Sequence, residues 1–290
     1  METTYQSEIG KLKSILLKPV EQAFVDPATI SQQWKDLNFL QAPDLDRAKQ
    51  EYQQFEASLG NVVSHYLPQD PRVTLDSIYC RDASITTDQG MIICNMGKAV
   101  RSNEPEAQKG IFALNDLPVL GEIKPPGTLE GGDVAWLDQK TLAVGHSYRS
   151  NLAGIKQLKE LMQPSGIKVI TVHLPHYKGP NDVFHLMSIL SPVDTDLAVT
   201  YSPLMPIAFR NILLDRGYQL IEVPENEFDS MGCNVLALAP RKCLMVADNP
   251  KTQAALEYAG CQVTTYSGEE ISIKGGGGPT CLTRPLLREL

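Results

Sequence analysis

Gly275-Gly276-Gly277-Gly278-Pro279-Thr280-Cys281 lies close to the C-terminal end of this 290-residue chain. Four consecutive glycines cost conformational entropy that an ordinary loop does not need, and they let a backbone turn sharply and come very close to another group. A thiol follows at once, at the head of a short closing segment, Leu282 to Leu286. The stretch reads as a nucleophile presented on a tight turn, whose partners must come from elsewhere in the chain.

Working outward, a period of roughly 50 residues emerges. Each unit has a short special segment, an apolar strand, a polar stretch of helical pattern and a second apolar strand. The first strands are Ser14–Leu17, Met91–Cys94, Thr141–Val144, Asp196–Thr200 and Lys242–Val246, with β-branched and apolar runs bounded by Gly, Pro, Asn or Asp. The helices are expected over 44–59, 105–115, 152–162, 205–215 and 251–259. The second strands follow over 62–67, 119–122, 168–174, 219–224 and 262–266. Gly166, Gly217 and Gly260 stand where a glycine closes a helix before a strand.

The segments that open the units are Asp76-Ser77-Ile78-Tyr79-Cys80-Arg81-Asp82-Ala83, Gly127-Thr128-Leu129-Glu130-Gly131-Gly132-Asp133, Val183-Phe184-His185-Leu186, Ser230-Met231-Gly232-Cys233-Asn234 and the glycine run. Four of the five place a reactive residue at the equivalent point: Asp82, Glu130, His185 and Cys281. In a closed five-fold ring equivalent points converge on the axis. The last segment lies so near the chain end that its partner strand must be Ile15–Leu17. The expected fold is α/β, a five-bladed propeller of strand–helix–strand units closed by the N- and C-terminal strands, with residues 1–290 as one domain.

Bulk properties narrow the function. A formal net charge of −8 argues against nucleic acid and anionic membrane surfaces and suits a small cationic ligand. No stretch approaches the ~18–20 uninterrupted apolar residues of a membrane span, and the polar Met1–Lys13 stretch lacks a signal-peptide core, so a cytoplasmic location is expected. The six cysteines form no CxxC pair and are too sparse for a disulfide scaffold. No metal or cofactor is expected: Lys274 precedes the glycines where a phosphate loop needs Lys-Ser/Thr after them, and His173 and His176 read as loop residues. His146 has no evident partner, and a homo-oligomer is left open.

Cysteine with histidine is a nucleophile with an acid/base. Two carboxylates would raise the thiol pKa and serve no neutral substrate. A guanidinium does need them, because it is planar, always charged and forked. The constellation therefore points to chemistry at a guanidino carbon.

At these residues the chain resembles the guanidine-modifying enzymes of the pentein fold, a group of dimethylarginine dimethylaminohydrolases, arginine deiminases and amidinotransferases. Arg81-Asp82, Leu129-Glu130-Gly131-Gly132-Asp133, Phe184-His185-Leu186 and Gly277-Gly278-Pro279-Thr280-Cys281 fall in the family's order, over 14–286. The resemblance implies Cys281 as nucleophile, His185 as general acid/base and Asp82 and Glu130 as guanidinium-binding carboxylates, Glu130 being grouped with the catalytic set. It implies Asp76, Tyr79 and Asp133 as further substrate contacts, although Asp133 also reads as a structural carboxylate. It implies Arg101 and Arg149 as the pair that receives a substrate carboxylate, and 18–34 as a closing flap. Met187 stands where deiminases and amidinotransferases carry a third carboxylate, which favours an N-methylated guanidine, whereas Arg81 is deiminase-like. The expected activity is hydrolysis of arginine or a methylarginine to citrulline through a thiouronium on Cys281. Deimination, amidino transfer and non-catalytic arginine binding are the alternatives.

Overall fold

A computed structural model describes residues 2–290. Apolar runs in this sequence are short, so they form short strands, and six three-stranded sheets result. Five share one pattern. A central strand pairs antiparallel with the strand before it and parallel with the strand after it. They are Ser84–Thr87, Gly90–Ile93 and Val119–Glu122; Val134–Asp138, Thr141–His146 and Lys168–His173; Leu190–Asp194, Leu197–Thr200 and Gln219–Glu222; Leu236–Ala239, Lys242–Val246 and Gln262–Tyr266; and Thr283–Pro285, Ser14–Leu17 and Val63–Tyr66. The unit is therefore strand–strand–helix–strand. In four of the units the strand that follows the opening segment was missing from the expected unit, because four or five residues carry too little periodicity to be read alone; the closing strand Thr283–Pro285 was expected to pair with Ile15–Leu17 and does.

A parallel pair requires a crossover of about a dozen residues, and the expected helices supply it. They run over Leu45–Leu59, Glu104–Leu114, Leu152–Met162, Ile207–Asp215 and Pro250–Tyr258. Asp44 caps the first by accepting Arg47 N–H at 2.9 Å, and Asn151 caps the third by accepting Gly154 N–H at 2.8 Å. Gly166, Gly217 and Gly260 hold φ of +67°, +84° and +85°, as helix-closing glycines should.

Central strands are buried on both faces: Ile15, Leu16, Leu17, Leu197, Ala198 and Val199 are wholly inaccessible. Each such leucine or isoleucine contributes ~1.5–3 kcal/mol relative to exposure. In the fifth sheet the antiparallel partner of Ser14–Leu17 comes from the other end of the chain, with Thr283 opposite Leu17 and Pro285 opposite Ile15. The sixth sheet reinforces this meeting of termini, as Arg288–Glu289 lies between Thr3–Thr4 and Lys11–Leu12. Among the described residues no helix is long and apolar enough to cross a membrane.

The expected flap over 18–34 is instead two short helices, Val20–Ala23 and Pro27–Gln33, that bury Val20, Ala23, Phe24 and Ile30 in the core. Its apolar residues recur at helical spacing, which a loop reading overlooks.

Candidate active site

The five units touch one another in chain order through their opening segments, except between the third and fourth, where Ser191 of the following strand makes the contact. Gly132 N–H donates to Asp82 Oδ1 at 3.0 Å, and Leu186 N–H donates to Asp133 Oδ1 at 3.0 Å. Ser191 Oγ–H donates to Cys233 O at 2.7 Å, and Thr280 N–H donates to Asn234 Oδ1 at 2.9 Å. Arg81 N–H then donates to Cys281 O at 3.2 Å, which joins the last segment to the first. A cavity of about 300 Å³ opens over this junction, and its wall includes Asp76, Tyr79, Asp82, Arg101, Arg149, His185 and Cys281.

Histidine and carboxylates form one buried cluster. His185 Nε2 donates to Glu130 Oε2 at 2.8 Å, and its Nδ1 lies 3.9 Å from Asp82 Oδ1. Burial alone would push this histidine down, but Asp82, Asp133 and Glu130 outweigh burial and hold it well above the ordinary range. Glu130 moves the other way: burial opposes its charge, but His185, Arg149 and Arg101 keep it ionised. Both shifts favour the imidazolium–carboxylate form of the pair. Gly132 makes this approach feasible, since a Cβ there would stand 2.5 Å from His185 Nδ1 and 2.6 Å from an Asp82 oxygen.

Each carboxylate already holds a cation. Arg101 Nη1 donates to Asp82 Oδ2 at 2.5 Å, while its Nε and Nη2 form a fork on Glu104 at 2.9 and 2.8 Å. Arg149 Nη1 reaches Glu130 Oε2 at 3.3 Å, and Lys98 Nζ reaches Asp76 Oδ2 at 2.6 Å. Lys98 went unnoticed in the sequence. Its Nζ also donates to Leu37 O at 2.8 Å and its backbone N–H to Glu130 Oε1 at 3.0 Å. It thus ties the second cavity carboxylate to the 37–40 loop, from which Leu37, Asn38 and Leu40 line the cavity. Donor atoms of Asp82, Glu130 and His185 all lie within 4.8 Å of one another, a spacing a metal ion could use. A protonated His185 offers no ring lone pair to a metal, so no ion is assigned to these three groups.

Asn234 is the second residue the sequence left unassigned. Its Oδ1 accepts both Thr280 N–H and Thr280 Oγ1–H, at 2.9 and 2.8 Å, which fixes the amide with Nδ2 toward Cys281 Sγ at 3.3 Å. The fourth opening segment therefore does supply a group to the junction. It escaped notice because an amide does not stand out among acids, bases and nucleophiles. Burial and Asp82 push the Cys281 thiol up, and the hydrogen bonds with Asn234 and Thr280 draw it partly back.

Three expectations need correcting. Asp133 was expected to touch substrate. It is wholly buried, accepts Leu186 N–H and Ser147 Oγ–H at 3.0 and 2.6 Å, and is absent from the cavity wall. Burial raises its pKa to about 6. Its place is behind His185, holding the turn that presents the ring. Glu130 was expected to bind a guanidinium, but it too is wholly buried and absent from the cavity wall. The close approach announced by the glycines is to protein side chains. A Cβ on Gly275 would strike the Tyr79 hydroxyl and Phe39, one on Gly277 would meet the Tyr79 ring, and one on Gly278 would meet Asn234. Tyr79, whose hydroxyl donates to Ile271 O at 3.2 Å, thus packs on the glycine turn and forms cavity wall beside the thiol. Cys233 reaches the cavity wall, and His146 does have a partner, His173, with their Nδ1 atoms 3.1 Å apart.

A family profile described as N,N dimethylarginine dimethylhydrolase, eukaryotic, matches residues 31–288. An N(G),N(G)-dimethylarginine dimethylaminohydrolase of Streptomyces coelicolor is 30% identical over 217 residues, covering 74% of this chain and 76% of that protein. An arginine deiminase of Listeria welshimeri is 26% identical over 254 residues, covering 73% of this chain and 61% of its own length. In three dimensions the chain is similar to the Pseudomonas aeruginosa DDAH crystallised with citrulline: TM-score 0.76, 22% identity, 94% of this chain and 98% of that one. It is also similar to the N-terminal domain of ArgZ, a cyanobacterial arginine dihydrolase, with substrate bound: TM-score 0.79, 18% identity, 93% and 97% coverage.

Proposed function

The chain belongs to the N,N dimethylarginine dimethylhydrolase family, and from that premise we propose that it hydrolyses a C–N bond at the guanidino carbon of arginine or an N-methylated arginine. The products are citrulline and an amine or ammonia. The observation that carries this reading is the meeting of the Cys281 thiol, the His185 imidazole and the carboxylates of Asp82 and Asp76 on one cavity of about 300 Å³, with Glu130 holding the imidazole from behind.

Cys281 is the nucleophile in this reading. Its thiol is held up in the free protein by burial and Asp82, and a guanidinium cation brought beside it favours the thiolate. Sulfur attacks Cζ to give a tetrahedral adduct. The C–N bond then breaks, and His185, a cation at rest, gives its proton to the departing amine. A thiouronium remains on Cys281. Water adds to the same carbon and His185 takes one of its protons; rupture of the C–S bond restores the thiolate, and the remaining O–H proton passes to the released amine or to solvent, leaving citrulline.

Asp82, on the cavity wall, receives the guanidinium, and Glu130 behind the wall holds His185 at 2.8 Å. Asp82 is held by Arg101 at 2.5 Å in the structure described, so binding exchanges partners: the substrate's guanidinium displaces Arg101 Nη1, which is freed for the carboxylate end together with Arg149. Asp76 and Tyr79 line the same wall. Met187, buried and also on that wall, supplies an apolar edge that suits an N-methyl group.

The proposed architecture is one domain, residues 1–290, with the five repeated sheets set as blades of an α/β propeller round the junction of opening segments. The circuit of contacts from Asp82 through Gly132, Leu186, Cys233 and Asn234 back to Cys281 supports it. A substrate panel tests the activity: arginine, monomethylarginine and dimethylarginine, with the ureido product measured by colour and by mass. Citrulline from at least one, abolished by Cys281→Ser, is the expected result. No ureido product from any of them overturns the hydrolase reading, and amidino transfer to an added amine in its place would establish the alternative.

A further inference from the structure

Behind the catalytic turn lies a cluster of charge that the reaction does not use. Arg81, Arg284 and Arg288 are 1%, 4% and 1% exposed, and the carboxylate placed among them is Glu8, 8% exposed. Arg81 Nη2 donates to Glu8 Oε2 at 2.6 Å. Arg284 Nη2 donates to the carbonyl of Arg81 at 2.9 Å, and Arg288 Nη1 donates to the carbonyls of Gly10 and Ala237 at 2.5 and 2.8 Å. Glu8 is ionised: burial opposes its charge, but Arg81, Arg288 and Arg284 together hold its pKa down.

Arg81, Arg284 and Arg288 face Glu8, and Asp82 adds a second, weaker negative influence on Arg284, so the three guanidiniums still outnumber the carboxylates around them. Burying an incompletely compensated charge is unfavourable even after relaxation, and a guanidinium keeps its proton at neutral pH. Five buried nitrogen atoms in the same cluster have no hydrogen-bond partner: Arg81 Nε and Nη1, Arg284 Nε, and Arg288 Nε and Nη2. Water could accept from these donors but would leave the charge unbalanced. Burial, and for Arg284 the neighbouring Arg81, already draw Arg284 down to about 9, while burial draws Arg288 down to about 10. The surroundings therefore favour added negative charge. Glu8 also lines a second cavity of about 310 Å³, with Gln6, Trp136, Tyr218 and Leu290, and the three arginines are not on its wall.

We propose that Arg81, Arg284 and Arg288 form a structural binding site for a small monovalent anion of the halide class, with chloride as the physiological occupant. The anion accepts from the unpartnered N–H groups on the side away from Glu8. It braces the turn that carries Asp82, because Arg284 holds that turn through the Arg81 carbonyl. The inference stands independently of the reaction assigned above.

Thermal unfolding of the full chain, at fixed pH and ionic strength, tests it with chloride, bromide or nitrate exchanged for gluconate, which is too large to enter. Chloride and bromide should raise the unfolding temperature saturably above the gluconate value. Bromide-grown crystals should show an anomalous peak at hydrogen-bond distance from at least two of the three arginines. Glu8→Gln removes a competing negative charge and should lower the half-saturating chloride concentration by roughly tenfold, the effect of about 1.4 kcal/mol. Arg288→Met should abolish the chloride-specific rise. Should that variant fail to fold, Glu8→Gln and the bromide map decide. Equal stability in chloride and gluconate overturns the proposal, as does bromide found only at the surface or only in the catalytic cavity. A Glu8→Gln variant with unchanged or weaker chloride dependence also overturns it.

Discussion

Asn234→Ala removes a single donor from sulfur, and the structure sets the size of the effect. Nδ2 stands 3.3 Å from Cys281 Sγ, in an amide whose orientation is dictated by the two donors of Thr280. A hydrogen bond to a charged acceptor contributes about 1.5–3 kcal/mol. Its loss should raise the pH at which Cys281 ionises by roughly 1–2 pH units, at 1.36 kcal/mol each. Turnover at neutral pH should fall by roughly 10–100-fold if the thiolate is the attacking species. The same substitution strands the N–H and O–H of Thr280, at ~1–3 kcal/mol of stability. Asn234→Asp separates the two effects: it keeps an acceptor for Thr280 but sets a negative charge beside sulfur, so stability should recover while the thiol pKa climbs further. The assay is the rate of inactivation by iodoacetamide across pH, alongside kcat and Tm. An Asn234→Ala protein with the wild-type pH midpoint for alkylation and turnover within about twofold would refute the role, even if its Tm fell.

Further consequences follow from the same geometry. Gly132→Ala sets a methyl group at 2.5 Å from His185 Nδ1, and the displaced imidazolium should cost at least about 100-fold in kcat, since misplacement of ~1 Å has that effect; steady-state kinetics on a folded variant checks it. His185 is held above the ordinary histidine range, so its contribution to stability is complete below the unfolded value of ~6.5 and is lost as pH rises through the raised folded value. Glu130, held below its ordinary range, contributes in the opposite sense, fully above the unfolded carboxylate value and less as pH falls through its depressed one. Melting curves of His185→Gln and wild type should therefore converge on the alkaline side. Lys98→Met frees the Asp76 carboxylate from its 2.6 Å partner; KM for a cationic substrate should fall while Tm drops by several degrees, and kinetics with calorimetry on one sample reads both.

Much of the site was legible before any coordinates because its parts are chemically conspicuous. Asp82, Glu130, His185 and Cys281 stand at equivalent points of a repeated pattern, and the structure brings their segments into one junction. Lys98 and Asn234 were not legible. A lysine after a strand reads as solvated surface and an asparagine after a cysteine as a turn; only distances of 2.6 Å to Asp76 and 3.3 Å to Cys281 distinguish them. Asp133 shows the reverse error: a carboxylate three residues from Glu130 looks like a second substrate ligand, but its side chain turns into the core to hold Leu186.

Residue type and spacing alone determined the strand–helix–strand part of each repeated unit, the helix-closing glycines, the pairing of the last strand with Ile15–Leu17 and the thiol, imidazole and carboxylates that meet at the junction. These are encoded locally, by hydrophobic period and by backbone freedom. Tertiary structure decided which charge faces which. It alone placed Arg101 on Asp82, turned Asn234 toward sulfur and gathered Arg81, Arg284 and Arg288 round Glu8. Electrostatic partners are chosen by distances of a few ångströms between residues as many as 280 positions apart, as Glu8 and Arg288 are, and no periodicity in the chain records that choice. The Gly275–Gly278 turn joins both levels: its composition announces a close approach, and only the fold shows that Tyr79 and Asn234 are what approaches.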